Sequence, residues 1–218
     1  MQHSLLSELK VDHMFGERTT RPALDVWCPR QVHGNEVAVL NSGRLIECPE
    51  ADAVVSSEPG VRIGVVTADC VPILVALDSG RSVAAIHAGW RGLAAGVVES
   101  GIDALAGGNP PKKDGVAVVG PHIGPCCYEV DSPVIEALRL RYGDRVREAT
   151  RLSRPDHVWL DLGALVVCAL RGAGFRTNRI GHIPLSCTAC HSDRYHSFRR
   201  EGEQAGRMLH YIAAHATS

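Results

Sequence analysis

Two side chains with chemistry of their own stand at the ends of apolar runs in the first half of the chain. Cys70 closes Thr67-Ala68-Asp69-Cys70, and His87 opens His87-Ala88-Gly89-Trp90-Arg91-Gly92. Between them lie Ile73-Leu74-Val75-Ala76-Leu77, a turn at Asp78-Ser79-Gly80, and Val83-Ala84-Ala85-Ile86. A hairpin of two buried strands brings the cysteine and the histidine to one end. Such a pair has two chemical uses. The imidazole can take the thiol proton and leave a nucleophile. Alternatively both can ligate zinc, where a third protein ligand and an open fourth position make a catalytic metal site. Asp69 and Arg91 add charge beside the pair, and Trp90 adds a flat apolar wall. Spacing alone leans to the nucleophile, because no third ligand stands next to them.

The elements that must position this pair follow from periodicity. Short strands are expected at Val37-Ala38-Val39-Leu40, after Glu50-Ala51-Asp52-Ala53-Val54-Val55-Ser56, and at Val61–Val66. The last of these and the two strands of the hairpin are linked closely enough to suggest one antiparallel sheet. Leu93, Val97, Ile102 and Leu105 then mark one helical face that runs to Gly107-Gly108 and Pro110-Pro111. Val116-Ala117-Val118-Val119 is a strand, and the two Gly-Pro pairs of 120–125 hold a rigid loop. Ser132-Pro133 is expected to open a helix with a serine N-cap, carrying Val134, Ile135, Leu138 and Tyr142. Residues 143–157 are charged and read as solvent-facing. Asp161 caps a helix through Leu165, Val166, Ala169 and Leu170 that ends at Gly172 or Gly174. A final helix over about 203–215 is expected to present Ala205, Met208, Leu209 and Ile212.

Composition bounds the partners. The 218 residues are 45% hydrophobic and 22% charged, with a net charge of −1, the profile of one compact globular domain. Without a basic block, electrostatics argue against nucleic acid and against an anionic membrane surface. No apolar run reaches the roughly 18 residues of a spanning helix, and residues 1–14 are too polar for a secretory signal. The expected compartment is the cytoplasm, where the eight cysteines stay reduced. Cys168, in Leu165-Val166-Val167-Cys168-Ala169-Leu170, reads as a core residue. Cys187-x-x-Cys190-His191 matches the haem-attachment string and also half of a four-cysteine zinc site. Haem attachment needs export, and the adjacent pair Cys126-Cys127 is poorly spaced to complete a zinc site. The expectation for this loop is ordinary thiols.

Five motifs in order carry a family resemblance: Gln31-Val32-His33-Gly34, Thr67-Ala68-Asp69-Cys70-x-Pro72, His87-Ala88-Gly89-Trp90-Arg91-Gly92, Ile123-Gly124-Pro125-Cys126-Cys127-Tyr128-Glu129-Val130 and Ser197-Phe198-Arg199-Arg200-Glu201-Gly202. Together they resemble the YfiH/laccase-domain family, also labelled multicopper polyphenol oxidase or peptidoglycan editing factor. The resemblance implies an α+β fold, a single-domain layered α/β/β/α sandwich with mixed β-sheets. It implies phosphorolysis of adenosine, inosine, guanosine and methylthioadenosine, and deamination of adenosine, with purine nucleosides and phosphate as partners. The family's zinc ligands fall on His33, Cys70 and His87, although His33 alone reads as a surface or capping residue. Copper is the metal of the family label. With zinc bound, a water of lowered pKa can attack C6 of adenine, Asp69 being the candidate proton shuttle. Arg91 is the candidate for binding phosphate, with Arg199 or Arg200 assisting. One departure stands out. Members carry a longer N-terminal region, whereas here Gly16-Glu17-Arg18-Thr19-Thr20-Arg21 is all that precedes the first motif in that place. That bears on substrate range and leaves the three metal ligands untouched. A cysteine hydrolase or muropeptide-editing enzyme using Cys70 and His87, and a copper phenol oxidase, are the competing activities.

Overall fold

The two strands of the Cys70–His87 hairpin carry apolar residues at nearly every position, so both of their faces must be covered. The computed structural model, which describes residues 1–21, 23, 25–40, 48–108, 115–184 and 186–215, shows what covers them. The chain opens with α1 (Ser4–Ser7), β1 (Asp12–Phe15) and β2 (Val26–Trp27). It continues through β3 (Val37–Leu40), β4 (Ala53–Ser56), β5 (Arg62–Thr67), β6 (Val71–Leu77) and β7 (Ser82–Ala88). Then come α2 (Trp90–Ala95), α3 (Val97–Leu105), β8 (Val116–Val119), β9 (Glu129–Asp131), α4 (Ser132–Tyr142), α5 (Arg145–Glu148), β10 (Thr150–Leu152) and β11 (His157–Leu160). The chain ends with α6 (Leu162–Gly172), β12 (Ile180–His182), α7 (Phe198–Glu201) and β13 (Met208–Ala213).

A six-stranded mixed sheet in the order β12-β8-β6-β7-β4-β3 lies at the centre. Its β6 and β7 pair antiparallel from Val71↔Ala88 to Leu77↔Ser82, so the hairpin forms as expected. Ile73, Val75 and Leu77 of β6 face one core, built with Leu93, Val98, Ile102, Leu138, Val166 and Leu170 of the helices. Leu74 and Ala76, one residue out of step, face a second core with Phe15, Ile63, Val65 and Ile212 of a four-stranded sheet, β1-β13-β5-β2. The period of two thus distributes one strand between a helix layer and a sheet layer. Each fully buried Leu or Ile contributes about 1.5–3 kcal/mol by removal from water. The class is α+β with mixed sheets, as the sequence implied.

Four expectations need correction. β5 does not join the hairpin's sheet. It pairs with β13 and β2, and the chain passes from one sheet to the other between Thr67 and Val71. The helix after Trp90 is two helices, because Gly96 adopts φ 91°, a left-handed conformation open to glycine. The expected end of that helix at Pro110-Pro111 lies outside the described residues. The N-cap of α4 is Asp131, which leaves Ser132 inside the helix and makes no side-chain cap bond. The expected final helix is the strand β13. Its residues pair with β1 on one side and β5 on the other, and five of the six are buried. A strand covered on both faces shows apolar residues at spacings that also fit a helix, and pairing on two sides decides the matter. The Asp161 cap forms as expected, its carboxylate accepting from the Ala164 N–H at 2.9 Å. Cys168 is half-buried against the helix-side core.

Candidate active site

Thr67–Cys70 is where the backbone leaves one sheet for the other, so side chains here face the seam between them. Thr67 is anchored by His210 of β13, Oγ1 to Nε2 at 2.9 Å. Asp69 takes a left-handed φ of 87°, and its carboxylate is held from both sides. Oδ1 accepts from the Thr188 hydroxyl at 2.5 Å, and Oδ2 from the Ser197 hydroxyl at 3.1 Å and the Arg199 N–H at 2.6 Å. These bonds tie two distant loops to the turn and place Cys70 at the seam.

His87 follows Val83 and Ala85 at a spacing of two and therefore faces the same way as they do, toward the second sheet. It is 3% exposed. His33 comes from the loop after β2. Gln31 seats that loop on β5 by acting as a strand partner. Its amide donates to the Val66 carbonyl at 2.8 Å and accepts from the Val66 N–H at 2.7 Å. The Nδ1/Nε2 and Sγ atoms that His33, Cys70 and His87 can offer all lie within 4.8 Å of one another. The two imidazoles meet edge-on with centroids 4.8 Å apart. Gly89 lets the three approach: a Cβ there would stand 3.0 Å from the Cys70 sulfur and 3.2 Å from His33 Cδ2.

The residue that organises the cluster is Asp52, which sequence reasoning passed over as the lead into a strand. It is fully buried at the start of β4. Oδ1 accepts from His87 Nδ1 at 2.7 Å and from the His33 N–H at 2.9 Å. Oδ2 accepts from the Gly34 N–H at 2.6 Å and the Val32 N–H at 3.1 Å. Burial alone would raise its pKa; the His87 bond and these backbone donors bring it below the ordinary value. An ionised Asp52 fixes the proton on His87 Nδ1 and leaves Nε2 free as a donor to a metal. The available signal was an acidic residue immediately before the apolar run Ala53-Val54-Val55.

Without an ion the cluster is a thiolate–imidazolium pair, and a metal binding there would displace the proton on His87 Nε2. Burial pushes the Cys70 thiol up, but hydrogen bonds and charge from His33 and His87 overcome it and hold the thiol at about 6. Burial pushes His87 down, and Asp52 and Cys70 overcome that to hold it at about 9. Two imidazoles, one thiolate-prone sulfur and a carboxylate behind one imidazole form a donor set that suits zinc with one position left open.

The cluster opens into a cavity of about 650 Å³, within the range of small-molecule sites. Trp90, Tyr128 and Phe198 line it with rings, and Arg91, Arg199 and Arg207 with guanidinium groups. Arg91 stacks over Trp90 at 4.5 Å and Arg199 over Tyr128 at 5.0 Å. Asp69, already holding three donors, is the acidic residue among the lining ones. Arg200 is not in the cavity. It reaches away to the carbonyls of Thr188, Ala189 and Tyr195, so of the two arginines of that motif, Arg199 faces the site. The Phe198–Arg199 segment and Tyr128 come from the two motifs whose contribution spacing did not reveal.

Known proteins resemble this chain over most of its length. Residues 12–215 match the family model described as multi-copper polyphenol oxidoreductase laccase. The purine nucleoside phosphorylase PA4543 of Pseudomonas aeruginosa is 36% identical over 190 residues, covering 84% of this chain and 71% of its own length. The purine nucleoside phosphorylase YfiH of Escherichia coli is 36% identical over 191 residues, covering 88% and 74%. The crystal structure of YlmD from Geobacillus stearothermophilus superposes with a TM-score of 0.78 at 30% identity, covering 88% of this chain and 74% of that one. That of the Bacillus licheniformis protein YfiH gives 0.79 at 29%, covering 87% and 74%. A match across nearly the whole chain, with relatives alike in sequence and in fold, makes this chain a member of the YfiH-type laccase-domain family.

Proposed function

We propose that this chain is a zinc-dependent purine nucleoside phosphorylase, acting on adenosine, inosine, guanosine and methylthioadenosine, and that the same site deaminates adenosine. The relatives named purine nucleoside phosphorylases support phosphorolysis at the family level. The observation that carries the reading for this chain is the convergence of three unlike surfaces on one cavity. These are the His33–Cys70–His87 cluster, a set of aromatic walls, and three arginines whose neighbourhood holds no free carboxylate among the described lining residues.

Each surface has a task. A zinc ion held by two imidazoles and a thiolate supplies Lewis acidity at its open position. Tyr128 and Phe198 offer faces on which a purine stacks. Arg91 and Arg207, which pair with no carboxylate among the described residues, present guanidinium groups to phosphate, and Arg199 adds a third positive charge. Phosphate held there attacks C1′ as the base departs, through a state with cation character on the ribose. Asp69 is a positioning residue in this scheme. Its two oxygens hold Thr188, Ser197 and Arg199, which supports an anchoring role over the proton-shuttle role expected from its place in the motif.

The donor set favours zinc over the copper of the family label, since laccase chemistry asks for several coppers and many imidazoles. A second reading has its own observation: Cys70, His87 and Asp52 are arranged as a thiol, a base and an orienting carboxylate. One experiment separates the two. Release of hypoxanthine from inosine is followed with and without phosphate, and with and without a chelator. Phosphate-dependent release abolished by the chelator is expected, and Arg91→Ala should raise the KM for phosphate about tenfold or more with a smaller change for inosine. A chelator-resistant protein that loses activity on alkylation of Cys70 would overturn the metal reading in favour of the hydrolase.

A further inference from the structure

A second sulfur cluster lies in the loops that carry Tyr128 and Thr188. The Sγ atoms of Cys126, Cys127, Cys187 and Cys190 all lie within 4.8 Å of one another. Cys126 stands 3.4 Å from both Cys187 and Cys190, and Cys127 stands 3.4 Å from Cys190. The argument that adjacent cysteines are badly spaced to complete the set is therefore overturned, since the fold brings all four sulfurs together. All four are free cysteines, two of them exposed and two half-buried. Core packing, the usual reason for free cysteines to gather, does not account for thiols at the surface. The separations are also far longer than the roughly 2.05 Å of a disulfide. Four sulfurs bound to zinc at about 2.3 Å in a tetrahedron stand about 3.8 Å apart, which is the spacing this cluster approaches.

The loops around the sulfurs are fixed by hydrogen bonds. The Gly124 N–H donates to Cys187 Sγ at 3.3 Å. Three arginines hold the carbonyls of the two loops. Arg151 bonds to Pro125, Arg199 to Cys127, and Arg200 to Thr188 and Ala189. These bonds fix the backbone that carries the four sulfurs.

We propose that Cys126, Cys127, Cys187 and Cys190 form a second metal site, a closed tetrathiolate centre that takes zinc and is structural. With four sulfurs the coordination sphere is full, so this ion does no chemistry on substrate. Its effect is to clamp the 124–128 loop to the 186–190 loop. The first carries Tyr128 into the cavity, and the second carries Thr188, whose hydroxyl bonds Asp69. The proposal stands apart from the phosphorylase reading, since a chain without that activity would still hold the second ion.

The test is metal content of the full chain purified under reducing conditions from zinc-supplemented cells, by elemental analysis and native mass spectrometry. Two zinc ions per chain are expected in the wild type. Cys190→Ser should hold one, Cys190→His should keep two because imidazole replaces the thiolate, and His33→Ala should hold one. Cobalt exchange on the wild type gives a check that needs no variant: strong sulfur-to-cobalt charge-transfer absorption from four thiolates, surviving in His33→Ala. The proposal fails if the wild type holds a single zinc that His33→Ala removes and Cys190→Ser does not. It also fails if thiol titration of the reduced protein finds these cysteines in disulfides, and iron in the tetrathiolate site would overturn the choice of zinc.

Discussion

At Asp52 one carboxylate receives four donors, and three of them belong to the loop that supplies His33. The same group therefore shapes two ligands of the proposed metal at once, one through its imidazole and one through its backbone. Left-handed φ at His33, 62°, is held by those bonds. Asp52→Asn keeps the side-chain shape but loses the charge and the fixed His87 tautomer. Loss of such a supporting carboxylate lowers metal affinity by about 10–100-fold. Competition with a chromophoric chelator should show a drop of that size for the ion proposed at the His33–Cys70–His87 cluster. Unchanged affinity would mean that His87 is oriented by something other than Asp52.

Elements matter here through their ends. Cys70 immediately precedes β6 and His87 is the penultimate residue of β7, so both stand at one end of the hairpin, and α6 starts at a capping carboxylate that satisfies an otherwise orphaned N–H. Leu162, Leu165, Val166 and Leu170 of α6 are buried in the helix-side core, so a frayed first turn is felt by that core. Asp161→Ala should cost about 1 kcal/mol, within the 0.5–2 kcal/mol usual for a lost cap. Urea unfolding followed by circular dichroism measures it, and the midpoint should fall with the slope unchanged. An unshifted midpoint would show that α6 is held by its packing alone.

Away from the metal cluster, three buried histidines carry a pH dependence of their own. His13, His122 and His210 are buried, and burial is the leading cause holding each below its ordinary pKa, His210 at about 3. Hydrogen bonding fits the neutral form. His210 Nδ1 accepts from the Gly16 N–H at 3.3 Å and Nε2 donates to Thr67 at 2.9 Å. His13 Nε2 likewise accepts from the His3 N–H at 2.9 Å. Because the folded pKa values lie below the unfolded value of about 6.5, the unfolded chain binds protons first as pH falls. The contribution of these three histidines is thus full above about pH 6.5 and declines below it. Thermal midpoints measured from pH 7.5 to 4.5 should fall below pH 6.5. His210→Gln, less stable at neutral pH, should show a shallower decline, and a flat profile in the wild type would refute the assignment.

Sequence by itself determined the elements whose signals are local. The Cys70–His87 hairpin, the helix capped by Asp161 and the strands at 37–40, 53–56 and 116–119 needed only periodicity and capping chemistry. The five motifs carried the family and the three residues proposed as metal ligands. Tertiary structure alone decided everything that depends on which elements meet. Residues 208–213 became a strand because β1 and β5 lie on either side of it. Gln31 reads as a loop amide until β5 runs past it, and Asp52 as a strand prelude until His87 comes to rest on it. The 126–127 and 187–190 cysteines, sixty residues apart, look mismatched as strings and come together only because the loops bearing them are joined through His122, whose N–H bonds to Ser186 and whose carbonyl accepts from Thr188. Local patterns record what a residue prefers, whereas a site is set by distances between segments, and no spacing along the chain encodes those.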